Sequence, residues 1–345
     1  MAAYISFQPT DFFNTILYNG TASQQAITGV GFQPDYTWIK RRQVNWHCLV
    51  DAVRGATKRL SSNVDNAEVT DATAVESLDT DGFTVGIDSN GYTNQSGGTY
   101  VAWNWKAGTT SGLSGGTITP SAYSYSATSG FGMYYWAGTG ATGTIAHGLG
   151  TAPKVMIIKS MAAANWGVYN QAIGNSNTMF LDLTNASTAR TYYNSTSPTS
   201  TVFTVKDGVV NDSGSNYIGY VFAPVKGFSK FGSYTGNAQL DGPFIHTGFR
   251  PAYVMVKITD TTDGWYIWDN RRSPSGGYNA QQYRLIANES DAEGTNANYI
   301  IDMVSNGFKL RDNNVGCNGN GNSFVYMAFA EFPFVSSNSK ACTAR

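Results

Sequence analysis

Charge is what this sequence has least of. Asp, Glu, Lys and Arg together make up 13% of its 345 residues, about half the ~25% of ordinary soluble domains, so Thr, Ser, Asn and Gly must cover most of the surface. The 22 Lys and Arg balance 23 Asp and Glu. No basic field results, and sequence-independent binding to nucleic-acid phosphates is not expected. Cysteine is also scarce. Cys48, Cys317 and Cys342 form an odd, widely spaced set, which supplies neither a disulfide framework nor paired zinc ligands and suits assembly in a reducing compartment. No run of 18 apolar residues occurs, and the stretch Met1 to Phe7 has neither a basic n-region nor an apolar h-region. The chain is therefore expected to be neither membrane-inserted nor secreted. Phosphate-binding loop, His-Glu-x-x-His and Cys-x-x-Cys are all missing, so no cofactor is expected and the chain is read as no enzyme.

What is abundant points the other way. Thirty-eight Gly, 21 Tyr, 18 Phe and 8 Trp accompany many Thr and Asn, a composition suited to strands joined by tight turns. Turn dipeptides occur at Asn19-Gly20, Asp81-Gly82, Asn90-Gly91, Asp207-Gly208, Asp241-Gly242, Asp263-Gly264 and Asn306-Gly307.

Five anchors then recur three times in one order. The first is an aromatic-x-Gly triplet at Tyr18, Trp136 and Tyr234, and the second is a proline 14 or 15 residues past its glycine, at Pro34, Pro153 and Pro251. Each proline opens an apolar run that ends in a lysine six residues on, at Lys40, Lys159 and Lys257. A tryptophan follows, at Trp46, Trp166 and Trp265, with Asp51, Asn170 and Asp269 beyond it. Next come Phe83, Phe203 and Phe308. The last anchor is an aromatic hexamer starting at Tyr100, Tyr217 and Phe324. Proline donates no ladder hydrogen bond and so marks a strand start, whereas the hexamers are apolar beyond simple alternation and belong at a sheet centre.

The implied fold is all-β: three tandem antiparallel β-sandwich modules of about 100 residues each. The boundaries are 1–108 for the first, 131–228 for the second and 229–335 for the third. Residues 109–130, rich in Gly, Ser and Thr, are a linker or an edge hairpin, and 336–345 are a polar tail.

Candidate chemistry is weighed against this repeat. His47, His147 and His246 are the only histidines, and the last two sit in Gly-rich loops where bonding to backbone is the plainer role. Asp51 with Glu68 and Asp269 with Glu293 could be built into a glycosidase pair, yet they recur at equivalent places, as turn or cap residues do. Asp260, Asp263, Asp269 and Asp312 lack the dense spacing of a calcium loop, so no metal site is assigned. Six Asn-x-Ser/Thr triplets, from Asn19 to Asn288, are read as compositional. Because Trp46, Trp166 and Trp265 recur, they are expected in cores. The non-recurring Trp38, Trp136 and Trp268 are the candidate contact residues.

The third copy, from Tyr234-Thr235-Gly236 through His246-Thr247-Gly248-Phe249-Arg250-Pro251 and Trp265-Tyr266-Ile267-Trp268-Asp269 to Tyr326-Met327-Ala328-Phe329, resembles a module frequent in structural proteins of marine tailed bacteriophages. Copy one matches the same pattern. Copy two departs most, with Thr151 in place of an aromatic before its proline and no Asn-Gly-Phe turn. The resemblance implies a virion structural protein assembled in the bacterial host cytoplasm, as a tail fibre or receptor-binding component that attaches to a host surface glycan. A capsid-decorating or tail-attached adaptor that binds other virion proteins is the second expectation, and a carbohydrate-binding module or glycoside-active enzyme the third. Scarce charge and many aromatics further suggest a homotrimer closed through apolar sandwich faces.

Overall fold

A computed structural model describes residues 5–273, 279–295 and 298–333. The proposed 336–345 tail and Cys342 lie outside the described residues. The protein is nearly all β, and its strands fall into three consecutive segments.

The first segment holds β1 (Phe13–Asn19), β2 (Gln25–Thr28), β3 (Tyr36–Arg41), β4 (His47–Asp51), β5 (Gly55–Leu60), β6 (Val69–Thr70), β7 (Val75–Asp79), β8 (Gly82–Val85) and β9 (Thr99–Trp105). The second holds β10 (Ala122–Ser126), β11 (Phe131–Ala137), β12 (Gly143–Ala146), β13 (Val155–Ser160), β14 (Gly167–Asn170), β15 (Asn177–Phe180), β16 (Thr188–Ala189), β17 (Val202–Val205) and β18 (Asn216–Phe222). The third holds β19 (Ser229–Thr235), β20 (Phe244–His246), β21 (Phe249–Ile258), β22 (Trp265–Asp269), β23 (Leu285–Ile286), β24 (Ile301–Val304), β25 (Gly307–Leu310) and β26 (Ser323–Pro333).

Each segment forms one large and one small antiparallel sheet. The large sheets run β1-β9-β3-β4-β5-β6, β10-β11-β18-β13-β14-β15-β16 and β19-β26-β21-β22-β23. The small ones are β2-β8-β7, β12-β17 and β20-β25-β24. The second lacks the hairpin partner that its neighbours have, in keeping with the missing turn before Phe203. Within residues 109–130, β10 lies at the edge of the second large sheet and pairs with β11 as a hairpin.

The hexamer strands β9, β18 and β26 are central, and both of their faces are buried. Val101, Trp103 and Trp105 enter one core together with Ile218, Tyr220 and Phe222 and with Val325, Met327 and Phe329. The alternate residues, such as Tyr100 and Ala102, pack instead on the small sheet of their own segment. Three sandwiches thus turn their large sheets inward around one shared core. Trp105, Phe222 and Phe329 hold the same register, opposite Tyr36, Val155 and Tyr253.

Prolines behave as their chemistry requires in two segments and are accommodated in the third. Pro34 and Pro153 stand just before the ladder, whose first bonds come from the Asp35 and Lys154 N–H groups to Trp105 and Phe222 carbonyls (both 2.9 Å). Pro251 lies inside β21, where register shifts on both sides form a bulge that needs no N–H. The aromatic-x-Gly anchor also has a steric cause. A Cβ on Gly20, Gly138 or Gly236 would sit 2.1 to 2.3 Å from a carbonyl oxygen, so only glycine lets the turn close.

The segments are joined by a closed ring of hydrogen bonds. Trp166 Nε1 donates to the Ser61 carbonyl of the first segment (3.1 Å), and Trp265 Nε1 donates to the Phe180 carbonyl of the second (2.9 Å). His47 Nε2 completes the circuit at the Ile286 carbonyl of the third (3.0 Å). Backbone bonds repeat the relation, with Ala164, Asp263 and Asn45 N–H groups donating to Asp65, Thr184 and Ser290 carbonyls at 2.8 to 2.9 Å. The recurring lysines reinforce it from inside. Lys40, Lys159 and Lys257 are wholly buried, and their ammonium groups donate to backbone carbonyls of the preceding segment: Ser290 and Asp291, Asp65, and Thr184 respectively. Burial pulls the Lys40 pKa down to about 7 and those of Lys159 and Lys257 to about 8, while the carbonyl cages favour the charged form.

Lys159 Nζ donates to Asp65, Ser160 and Ala162 carbonyls at 2.9 to 3.3 Å. Lys159→Met should therefore lower unfolding free energy by about 1–3 kcal/mol, the cost of buried acceptors left unmade less the relief of a desolvated charge. An unchanged urea midpoint would show that the cage contributes nothing.

Candidate binding surface

Trp166 and Trp265 are buried in a core as expected, but the other tryptophans depart from the roles expected of them. Trp38, Trp136 and Trp268, expected at a contact surface, are 2%, 0% and 0% exposed. Each indole N–H is also taken: Trp38 donates to His47 Nδ1 (2.8 Å), Trp136 to Asn211 Oδ1 (3.1 Å) and Trp268 to the Tyr299 carbonyl (2.8 Å). None can offer a face to a ligand. The reason is that strands buried on both faces make core of every position, so failure to recur in the repeat does not imply exposure. Trp46, expected in a core, is half-buried at the surface. In register the residue equivalent to Trp166 and Trp265 is His47, paired with Lys40 as Trp265 is with Lys257. Their backbone N–H groups also match, donating to Asn63, Asp182 and Asn288 side chains at 2.8 to 3.0 Å. Counting from the lysine rather than the proline places His47 and Trp166 both seven residues on, a signal that the proline spacing hid.

The ionisable candidates are held by the framework. His47 accepts from an indole N–H at Nδ1, so its Nε2 carries the proton that reaches Ile286. It is a neutral tautomer, and burial, with Lys40 nearby, holds its pKa well below the usual value. His147 accepts the Leu149 N–H at Nδ1 and donates from Nε2 to the Thr199 carbonyl; burial lowers its pKa as well. His246 is exposed, and its carbonyl takes the Lys230 ammonium. Arg54 bridges Asp51 (2.6 Å) and Glu68 (3.0 Å), and Arg272 bridges Asp269 (2.6 Å) and Glu293 (2.9 Å). Both carboxylate pairs are thus occupied by a guanidinium. Asp51 also accepts from the Tyr220 hydroxyl (2.8 Å) and Asp269 from Trp103 Nε1 (2.9 Å), each across a segment boundary. In the second segment the matching positions are Asn170, Ile173 and Ser187. Asp260 and Asp312 accept turn N–H groups at Ser323 and Asn314. Burial pushes the Cys48 thiol up to about 12 and raises that of Cys317, which makes both poor nucleophiles.

A half-buried aromatic pair lies at the surface of the first segment. The Trp46 indole stacks against Tyr92, ring centroids 6.2 Å apart and planes 27° from parallel. The Arg59 guanidinium lies over the Tyr92 ring at 4.1 Å, and is itself fixed by Asp71 (3.3 Å) and Ser61 (2.8 Å). Below Tyr92, the Asp88 carboxylate organises its loop by accepting the N–H groups of Asn90, Gly91 and Thr93 at 2.8 to 3.1 Å. On the other side, Asn45 caps the Trp46 N–H (2.7 Å) and reaches the Asn90 carbonyl (3.0 Å). Two loops are thereby locked together, and amides surround the rings. Such a platform, rigid and amphipathic, suits stacking against a sugar ring or another flat, partly apolar face.

One family model matches the chain, over residues 8–333, and is described as a domain of unknown function, DUF7483. The chain belongs to that family, whose single domain takes in all three segments. Among curated proteins and among solved structures nothing matches.

Trp166 and Trp268 are both fully buried, so replacing either by Ala should cost ~3–5 kcal/mol, whereas Trp46→Ala should cost under ~1 kcal/mol. Thermal melts of the three variants check this, and a large loss in Trp46→Ala would place that ring in the core. His47 supplies a pH test. Its folded pKa lies below its unfolded value of ~6.5, so its contribution is complete above about pH 6.5 and is lost as pH falls below it. The melting temperature should drop between about pH 7 and pH 5, and less steeply in His47→Gln; parallel profiles would exclude His47 as a source.

Proposed function

We propose that this chain is a non-enzymatic structural protein of a tailed-bacteriophage virion, a tail-fibre or receptor-binding component that attaches to a host-surface glycan. The virion assignment rests on the module resemblance. Attachment rests on one observation, the half-buried Trp46–Tyr92 pair at the surface, braced by Arg59 and framed by Asn45 and Asn90. The three segments are read as copies of one tandem module, in agreement with their recurring sheet order and their cyclic bonds. A non-catalytic role is supported by the two carboxylate pairs, each bridged by a buried arginine. The apolar faces that suggested a homotrimer meet each other inside one chain, so self-association would have to use other surface. Leu240, Phe244 and Val315, large apolar side chains exposed in the third segment, favour the adaptor as a second reading, with another virion protein as partner.

The test uses intact protein and surface polysaccharide extracted from a susceptible host. Trp46→Ala should weaken binding about tenfold, the loss of an aromatic contact of on the order of 1–1.5 kcal/mol, while costing under ~1 kcal/mol of stability. Unchanged binding would remove the attachment reading and leave the adaptor.

A further inference from the structure

The cyclic arrangement gives every boundary between segments an internal control. At the first boundary, Tyr135 and Met161 of the second segment pack on the shared core, and Tyr135 lies beside Glu68 and Arg54. At the boundary of the third segment with the first, Leu17 and Arg42 hold the equivalent places, as their register opposite Val101 and their distance from Lys40 show. Arg42 there forms a two-pronged pair with Glu293 at 2.6 to 3.1 Å. Both boundaries are filled by large side chains and an Arg–Glu pair.

At the remaining boundary the aromatic and charged fillers are replaced by smaller or uncharged side chains. Ser233 stands where Tyr135 and Leu17 stand, opposite Val325, and Thr259 replaces Met161 and Arg42. Ile173 and Ser187 take the places of the arginine and glutamate. The result is a groove of about 300 Å³ lined by Ala172, Ile173, Ser233, Thr235, Thr259 and Ser323 among others. No charged side chain lines it. The hydroxyls of Ser233, Thr235 and Ser323 make no protein hydrogen bond among the described residues, while the Thr259 hydroxyl donates to the Ser323 carbonyl (3.1 Å) and keeps its lone pairs. Ile173 and Val325 supply an apolar strip. The boundary stays assembled despite the gap, because Ser187 N–H still reaches the Thr259 carbonyl (2.8 Å).

We infer that this groove between the second and third segments is a binding site for a small uncharged polyhydroxyl ligand, of the class of a monosaccharide or the terminal sugar of a glycan. Its volume is at the lower end of the ~300–1,000 Å³ typical of small-molecule sites. Three exposed hydroxyl residues, Ser233, Thr235 and Ser323, beside an aliphatic strip match the alternating O–H and C–H faces of a sugar, and the uncharged lining disfavours ionic ligands, whose desolvation nothing there would offset. The site is independent of the Trp46 platform and does not rest on the attachment reading.

Saturation-transfer NMR on the intact protein, with glucose, galactose and N-acetylglucosamine at ~10 mM as probes, would detect the millimolar affinities expected of so small a contact. At least one should give a signal. Ser233→Tyr installs the filler of the first boundary, and Ala172→Trp obstructs the exposed mouth. Each should abolish the signal with an unchanged melting temperature, and Trp46→Ala should leave it intact. No signal with any of the three sugars, or a signal that survives both blocking variants, would overturn the inference. A signal lost only in Trp46→Ala would overturn it too and return the binding to the platform.

Discussion

The donation of a buried ring N–H or ammonium to a backbone carbonyl of the preceding segment is the contact on which the rest of this protein depends. Each large sheet leaves an apolar face that no single segment can cover, and the shared core forms only when all three faces meet. Apolar burial has no preferred direction. Trp166, Trp265 and His47, with the lysines paired beside them, supply that direction by fixing which edge of one segment meets which loop of the next. A buried ammonium is costly unless it is caged, so each lysine tolerates only the arrangement that brings it carbonyl oxygens.

The ring is cyclic in its backbone and lysine contacts and broken in its acids. Arg54 and Arg272 tie their own turns to the neighbouring segment through Tyr220 and Trp103. In the second segment Asn170 faces Met327 across an apolar void of about 10 Å³, with no charge on either side. Charge pairing and an uncharged, apolar contact are thus alternative solutions for one geometric position, and the chain uses both. The same reasoning accounts for His47, where a smaller ring with an acceptor nitrogen takes the Trp position and thereby holds the Trp38 indole.

Much of the fold was legible in the sequence because its anchors are imposed by backbone geometry. Gly20, Gly138 and Gly236 are required by a carbonyl at contact distance, and the hexamers by burial on two faces. A further anchor escaped notice. Asn94, Asn211 and Asn318 each lie six residues before their aromatic hexamer, and each accepts the N–H of a turn residue while its amide donates to loop carbonyls. Two of them begin glycosylation-like triplets, which obscured the pattern. The surface was far less legible. Trp46 and Trp38 cannot be told apart by composition, because exposure here is decided by which loops fold over a ring. Closure of three segments into one body is likewise invisible to periodicity, since carbonyl partners carry no residue type.

The closing contacts have a consequence in time. The Lys40 ammonium and the Asp291 carbonyl that cages it are 251 residues apart. At synthesis rates of ~5–20 residues per second, the first segment, whose last strand ends at Trp105, emerges from the ribosome roughly 9–37 seconds before its last partner exists. During that interval its inner face, with Trp38, Trp103 and Trp105, is bare on one side, and its buried lysine and histidine have water where carbonyls will be. The second segment gains its donors to the first as soon as it appears, because Trp166 and Lys159 point backward along the chain. Order of emergence and order of docking therefore agree for two boundaries and are reversed at the third, so the step that seals the core is also the last that translation permits.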